Sequence, residues 1–158
     1  MMDWFVRAFV KASVSWLALG VTLGVAMAVE PAWTIYRTAH LHMNLLGFVA
    51  MMIFGVAYHV MPRFAGTTLH DRRLAGIHWW VANTGLTLLV TGFILRSTAG
   101  VPPGWSVTLL ATGGGASALG AYAFAYNIWR TLDAGARRAP ASVTRPAAPS
   151  PLVTMFRS

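Results

Sequence analysis

The residues of this chain best suited to chemistry are its five histidines, two of which stand in the segment HLHMN (His40 to Asn44). This segment opens a long uncharged stretch, since no Asp, Glu, Lys or Arg occurs between Arg37 and Arg63. Such a stretch is long enough to cross a bilayer, and histidine is the strong metal ligand that enters a membrane as a neutral side chain. The pattern predicts a small membrane protein that holds haem or another metal.

The spacing of the histidines limits which of them can share a metal. At 100° per residue, His40 and His42 project about 200° apart on a helix, so they cannot bind one iron together. Either they serve two different sites, or one is a ligand and the other hydrogen-bonds at the interface. His59 lies about 25 Å further along the axis than His42, so a single metal cannot bridge those two either.

Two histidines from neighbouring helices offer a second candidate site. If the second and third helices form an antiparallel hairpin, His59 and His78 reach similar depth, and this pairing predicts bis-histidine haem ligation or a small metal site. The alternative is that His59 and His70 lie at headgroup level and bind nothing, as histidines in the terminal turns of membrane helices often do.

Among these residues, His42 is the preferred haem ligand. It lies deeper in the uncharged stretch, Asn44 follows half a turn later, and the glycines at 47 and 55 leave room for a flat ligand. The neighbouring methionines are also able to bind haem iron or Cu(I), although methionine is common in apolar packing.

The charged residues predict the fold, because they leave four gaps that can each supply the ~20 residues of a membrane-spanning helix. We therefore expect an all-α, four-helix transmembrane bundle over residues 1–130, with helices near 12–29, 39–61, 75–96 and 105–129. The glycines at 20 and 24, and those at 113–115 and 120, predict close helix packing. From 131 to 158 the composition of Ala, Pro, Ser and Arg predicts a disordered basic tail. A cleaved signal peptide ending at Ala28 is an alternative interpretation of the first span.

The net charge of +8 is better explained by orientation than by nucleic-acid binding. Ten of the twelve Lys and Arg residues fall on one side of the four predicted spans, at the N-terminus, the second loop and the tail. The positive-inside rule then places both termini in the cytoplasm, with His40 and His42 near the outer face.

Composition also excludes several kinds of site. Without cysteine the chain can form no disulfide, iron–sulfur cluster or covalent c-type haem attachment, so any haem is held non-covalently. The four acidic residues all lie near aqueous ends, which leaves no paired carboxylates, Ser-His-Asp constellation or phosphate loop in the bilayer. Catalysis by this chain alone therefore has little support.

Three segments together resemble subunit I of the haem-copper oxidase superfamily, especially the large subunit of nitric oxide reductase and the C-family cytochrome oxidases. They are RTAHLHMNLLGF (Arg37 to Phe48), YHVMP (Tyr58 to Pro62) and HWWVANTG (His78 to Gly85). The resemblance implies that His42 is an axial ligand of a low-spin haem b, followed by Asn44. It also implies a multi-pass protein of a bacterial-type inner membrane.

The same resemblance limits the expected activity. The second low-spin haem ligand, the high-spin haem ligand and the copper ligands of subunit I lie beyond its fourth helix. These 158 residues alone are therefore not expected to reduce dioxygen or nitric oxide. A missing haem ligand would come from a second protomer or a partner subunit of a respiratory complex, or the position would stay open for a gas.

The leading hypothesis is a membrane b-type haem protein that transfers electrons or senses a gas, as a homo-oligomer or a subunit. One alternative is copper handling, with His40, His42 and Met43 as an outer entry site. A further alternative is a cofactor-free accessory or assembly subunit, in which the histidines only pack and hydrogen-bond.

Overall fold

The computed structural model describes residues 2–138, and in that range it is all-helical, without a strand. The four long helices are α1 (Trp4–Val29), α2 (Pro31–Phe64), α3 (Arg72–Ser97) and α4 (Pro103–Arg138). Each is long and apolar enough to cross a membrane. Within the described residues, the predicted all-α architecture with four helices able to span a membrane is therefore confirmed.

The helices extend further than the charge gaps predict. Helix α1 begins at Trp4 instead of near residue 12, because Arg7 and Lys11 are exposed while Phe5 and Phe9 on the same turns are buried. Helix α4 continues to Arg138, so the first part of the expected tail, 131–138, is helical. The rest of that tail, 139–158, lies outside the described residues.

Helix α2 changes its winding along its length. It begins as a 3₁₀ helix (Pro31–Tyr36), becomes α-helical (Arg37–His42), widens into a π-helix (Met43–Ala50) and ends α-helical (Met51–Phe64). The π segment coincides with a close approach of α1, since a Cβ on Gly47 would lie 2.6 Å from Cβ of Trp16. Short π segments inside helices occur frequently at functional sites, and this one starts directly after His42.

Helices α3 and α4 pack almost backbone to backbone. A Cβ on Gly113 would lie 2.6 Å from the backbone nitrogen of Leu89, and one on Gly85 would lie 2.8 Å from that of Ser117. Such contacts require glycine at both positions. The predicted packing role thus holds for Gly113, whereas a Cβ on Gly115 would have no neighbouring heavy atom within 4 Å.

The end of the loop between α2 and α3 is hydrogen-bonded to α3 and to α4. The Asp71 carboxylate accepts hydrogen bonds from the backbone N–H groups of Arg73 (2.8 Å) and Leu74 (3.0 Å), which caps α3. The pKa of Asp71 lies below its usual value. The hydrogen bond from the Leu74 backbone lowers it most, and the hydrogen bond from Arg73 and the nearby positive charges lower it further. On the other side the buried amide of Asn127 in α4 makes two hydrogen bonds with the Asp71 backbone.

Candidate functional site

His42 lies on α2 immediately before the π segment, half-buried against α3. Its Nδ1 is 2.9 Å from the carbonyl oxygen of Thr38, and its ring centroid is 4.6 Å from that of Phe93. A carbonyl oxygen only accepts hydrogen bonds, so Nδ1 carries the proton and Nε2 of the neutral ring keeps its lone pair. Metal-binding histidines are commonly oriented in this way, by donation from the nitrogen that does not bind the metal.

His40 occupies the opposite side of α2 and faces α1. Its Nδ1 donates to the carbonyl oxygen of Gly20 at 2.8 Å, and a Cβ on Gly24 would lie 2.8 Å from Cε1 of the ring. The two rings therefore contact different helices, α1 for His40 and α3 for His42. This arrangement agrees with the 200° separation and with the prediction that they do not share one iron.

Asn44 belongs to the His40 side of the helix. Its Nδ2 donates to the His40 carbonyl oxygen at 2.9 Å, and its side chain lies over Gly20, where a Cβ would be 2.7 Å from Nδ2. The predicted close helix approach at Gly20 and Gly24 is confirmed, and its purpose is to admit these two polar side chains between α1 and α2. Asn44 thus helps to hold α1 against the segment that carries the histidines.

His78 lies in the interior of the bundle and is only 1% exposed. Its Nδ1 is 2.9 Å from the hydroxyl of Tyr58, and the rings of Phe9 and Phe54 lie with centroids 4.9 and 4.7 Å away. Its Nε2 is buried and, among the residues that the structure describes, has no hydrogen-bond partner. A Cβ on Gly120 would lie 3.5 Å from that nitrogen, so the glycine leaves space beside it.

The other two histidines are less enclosed. His59 is half-buried. The ring of His78 is surrounded by Phe9, Phe54 and Phe124 and hydrogen-bonds with Tyr58. A metal shared by His59 and His78 stays a prediction from the sequence. His70 is exposed in the loop, with its ring centroid 5.7 Å from that of Tyr126.

Within residues 2–138 there is no group of three or more His, Cys, Asp or Glu side chains able to hold a metal ion. In the described part of the chain, a metal would therefore receive at most two ligands from side chains of these four types. Haem iron suits such a donor set, because the porphyrin provides four ligands of its own and the protein supplies axial ones. The proton arrangement at His42 fits that role.

The sequence reasoning missed two residues around these histidines. Tyr58 is 2% exposed and is the hydrogen-bond partner of His78. Its signal is helical spacing, because Met51, Gly55, Tyr58 and Pro62 recur at three- and four-residue intervals and are all buried. The other is Trp16, whose Nε1 donates a hydrogen bond to Oδ1 of Asn83 at 3.4 Å. The two residues lie 67 positions apart, so no local sequence pattern predicts their contact.

Curated proteins with similar sequences are subunits I of cytochrome c oxidases. The cbb3-type cytochrome c oxidase subunit CcoN1 of Stutzerimonas stutzeri is 25% identical over 155 residues, which cover 80% of this chain and 32% of the relative. A cytochrome c oxidase subunit 1 homolog of Bradyrhizobium diazoefficiens is 28% identical over 127 residues, covering 65% and 22%. A putative cytochrome c oxidase subunit 1-beta of Streptomyces coelicolor is 34% identical over 113 residues, covering 63% and 19%.

These relatives confirm the resemblance to subunit I of haem-copper oxidases that the three motifs indicate. No protein-family model matches the chain. The chain spans about a third or less of the length of these curated relatives, at 32%, 22% and 19%.

Proposed function

Because the chain is a short relative of haem-copper oxidase subunit I, we propose that it is a membrane protein of respiratory electron transfer that binds b-type haem through His42. The haem would supply reversible one-electron redox chemistry when bound. The chain would supply an axial nitrogen, the orientation of that nitrogen and an apolar surrounding. Sensing of a gas by the same site is the variant of this proposal in which one axial position stays open.

The observation that carries the proposal is the hydrogen bond from His42 Nδ1 to the Thr38 carbonyl oxygen. It fixes the ring on its own helix and leaves Nε2 as the free ligating atom. The aromatic ring of Phe93 lies against the imidazole and restricts its rotation. This orientation of the ring would suit His42 as a haem ligand through Nε2.

His40 and Asn44 have a supporting role in this proposal. Both side chains are engaged with α1, through the Gly20 carbonyl oxygen and the space over Gly20 and Gly24. They fix the position of the helix that carries His42. His40 is the alternative ligand on the other face of α2, although its Nε2 lies 3.5 Å from the amide nitrogen of Asn44.

His78 is the second ligand candidate, because an imidazole nitrogen without a partner is costly in a hydrocarbon environment. A ligand at that nitrogen would be deep in the bundle and separate from His42. Copper in place of iron would require further donors around either histidine.

We also propose that the protein works as a subunit among other respiratory proteins in the cytoplasmic membrane of a bacterial-type cell. The names of its relatives support this role, since they are oxidase subunits. A homo-oligomer gains no support from the glycines of the first and fourth helices that allow close packing, because three of them pack inside the chain. Gly20, Gly24 and Gly113 all contact other helices of the same molecule.

The test is the reduced-minus-oxidised absorption spectrum of the purified protein, for the wild type and for His42→Ala. We expect the wild type to show the bands of b-type haem and His42→Ala to lose at least about tenfold in haem content, the scale seen when a metal-site group is removed. His70→Ala is the matched control, because His70 is exposed and outside the bundle. A wild type without a Soret band after haem reconstitution, or a normal spectrum for His42→Ala, would contradict the proposal.

Two additions refine this experiment. Carbon monoxide added to the reduced protein shifts the spectrum if a coordination position is open, which favours gas sensing over pure electron transfer. Elemental analysis of the same sample distinguishes iron from copper.

A further inference from the structure

A groove lies at the surface between the first turn of α1 and the first turns of α3, and we name it the Trp4 groove. Its volume is about 430 Å³. Trp4, Ile77 and Trp80 form its apolar walls, and these side chains are between 52% and 63% exposed. Arg72 and Arg73 line its end.

The shape of the Trp4 groove is fixed by the packing of α1 against α3. A Cβ on Gly76 would lie 2.9 Å from Cζ2 of Trp4, so glycine is what lets the indole lie against α3. The same indole packs edge-on against Trp79, with centroids 6.2 Å apart. Trp4 is therefore held in place, although more than half of its surface is exposed.

Charge and apolar surface are arranged in a fixed order along α3. Arg72 and Arg73 are its first two residues, whereas Ile77 and Trp80 lie about 6–12 Å further along the axis at 1.5 Å per residue. On a helix able to span a membrane, the arginines thus occupy the aqueous end and the apolar walls point toward the hydrocarbon. A phospholipid has the same order, with its phosphate outside its acyl chains.

The charge balance at the groove favours an anionic ligand. Arg72 forms an ion pair with Asp3, so one of the two arginines is already compensated. Within the described residues, Arg73 forms no ion pair with a carboxylate. The Asp71 carboxylate caps α3 beside Arg73 and balances the second arginine. The net positive charge at this end therefore comes from Arg7, which lies one turn beyond Trp4 on α1.

We propose that the Trp4 groove binds an anionic phospholipid. Its phosphate contacts Arg72 and Arg73, and one acyl chain lies along Trp4, Ile77 and Trp80. Indole rings at headgroup level and basic residues beside them are the features that membrane proteins use for such lipids. This site lies away from His42 and does not depend on haem.

The test is native mass spectrometry of the full chain in detergent, titrated with phosphatidylglycerol or with phosphatidylcholine. The wild type is expected to bind phosphatidylglycerol more tightly, because the choline cation of phosphatidylcholine partly neutralises the phosphate that both lipids carry. Arg73→Gln is expected to lower the affinity for phosphatidylglycerol about fivefold and that for phosphatidylcholine by less. Arg96→Gln is the matched control, because Arg96 is an exposed arginine at the other end of the same helix. It should bind both lipids like the wild type.

A second variant tests the apolar wall. Trp80→Ala is expected to weaken both lipids, because it removes acyl-chain contact and no charge, and circular dichroism checks that it folds. Equal affinity of the wild type for the two lipids, or unchanged binding of phosphatidylglycerol by Arg73→Gln, would overturn the proposal. Displacement of the lipid by millimolar inorganic phosphate would overturn it as well, since it would assign the arginines to free phosphate.

Discussion

A buried imidazole is an expensive group in a membrane protein, because the surrounding hydrocarbon offers no hydrogen bonds. His78 has one nitrogen bound to the Tyr58 hydroxyl and the other buried without a partner in the described residues. The hydroxyl of Tyr58 is thus the polar group that makes burial of His78 tolerable. Aromatic rings from α1, α2 and α4 enclose the pair.

Tyr58→Phe is expected to destabilise the protein by about 1–3 kcal/mol, because it leaves a second buried nitrogen of His78 unpaired. The measurement is the free energy of unfolding in mixed detergent micelles. Tyr122→Phe is the matched control, since Tyr122 is 72% exposed and should change stability by less than about 0.5 kcal/mol. Equal stability of the two variants would show that the hydrogen bond contributes nothing.

Asp71 provides a prediction about pH. The hydrogen bonds from Leu74 and Arg73 favour the charged carboxylate and lower its pKa in the folded protein. Its contribution to stability is therefore present above the unfolded value of about 3.9 and is lost as the pH falls through the lower folded value. A titration of the Asp71 carboxyl carbon by NMR should give a midpoint below about 3.9. A midpoint at or above that value would contradict the cap.

For single residues, the sequence predicts the candidate ligands and their helix faces better than it predicts which side chains contact them. The 100° periodicity alone places His40 and His42 on opposite faces, as the structure has them. It does not show that His78 is buried, because that depends on rings from three other helices. Nor does it pair His78 with Tyr58, since the two residues lie 20 positions apart in the chain.

The positions of the four helices can be predicted from charge and hydropathy. The π segment of α2 and the extended end of α4 cannot. Charge gaps correctly predict four spans, because hydrocarbon excludes charged side chains from a long helix. The π segment of α2 is different, since it accompanies the contact between Gly47 and Trp16 of another helix. The extended end of α4 likewise contacts the loop, because Thr131 accepts a hydrogen bond from the His70 backbone and Arg138 donates one to the Thr67 hydroxyl.

The contact of α3 with α4 predicts opposite effects for two nearby glycines. Gly113→Ala is expected to destabilise by about 1–3 kcal/mol, because its Cβ would lie 2.6 and 2.8 Å from backbone atoms of α3. Gly115→Ala places a Cβ in open space and is expected to stabilise by up to about 1 kcal/mol through helix propensity. Unfolding free energies of the two variants check this, and the prediction is wrong if Gly113→Ala is neutral.

The whole molecule has one strongly basic end. Arg63, Arg72, Arg73, Arg130, Arg137 and Arg138 lie at the end that contains the loop between α2 and α3. At the opposite end, the short connections between α1 and α2 and between α3 and α4 have Arg37 and Arg96. Basic residues near the ends of spans are retained on the cytoplasmic side, so this asymmetry predicts the orientation.

Because the sequence contains no cysteine, single introduced cysteines report orientation without interference. Thr68 and Ala99 are suitable positions, since both are exposed and lie in the loops at opposite ends of the bundle. In intact cells a membrane-impermeant maleimide is expected to label Ala99→Cys, and to label Thr68→Cys only after the membrane is opened. The reverse pattern would place His42 near the cytoplasmic face, and a redox partner of the proposed haem would then have to approach from inside the cell.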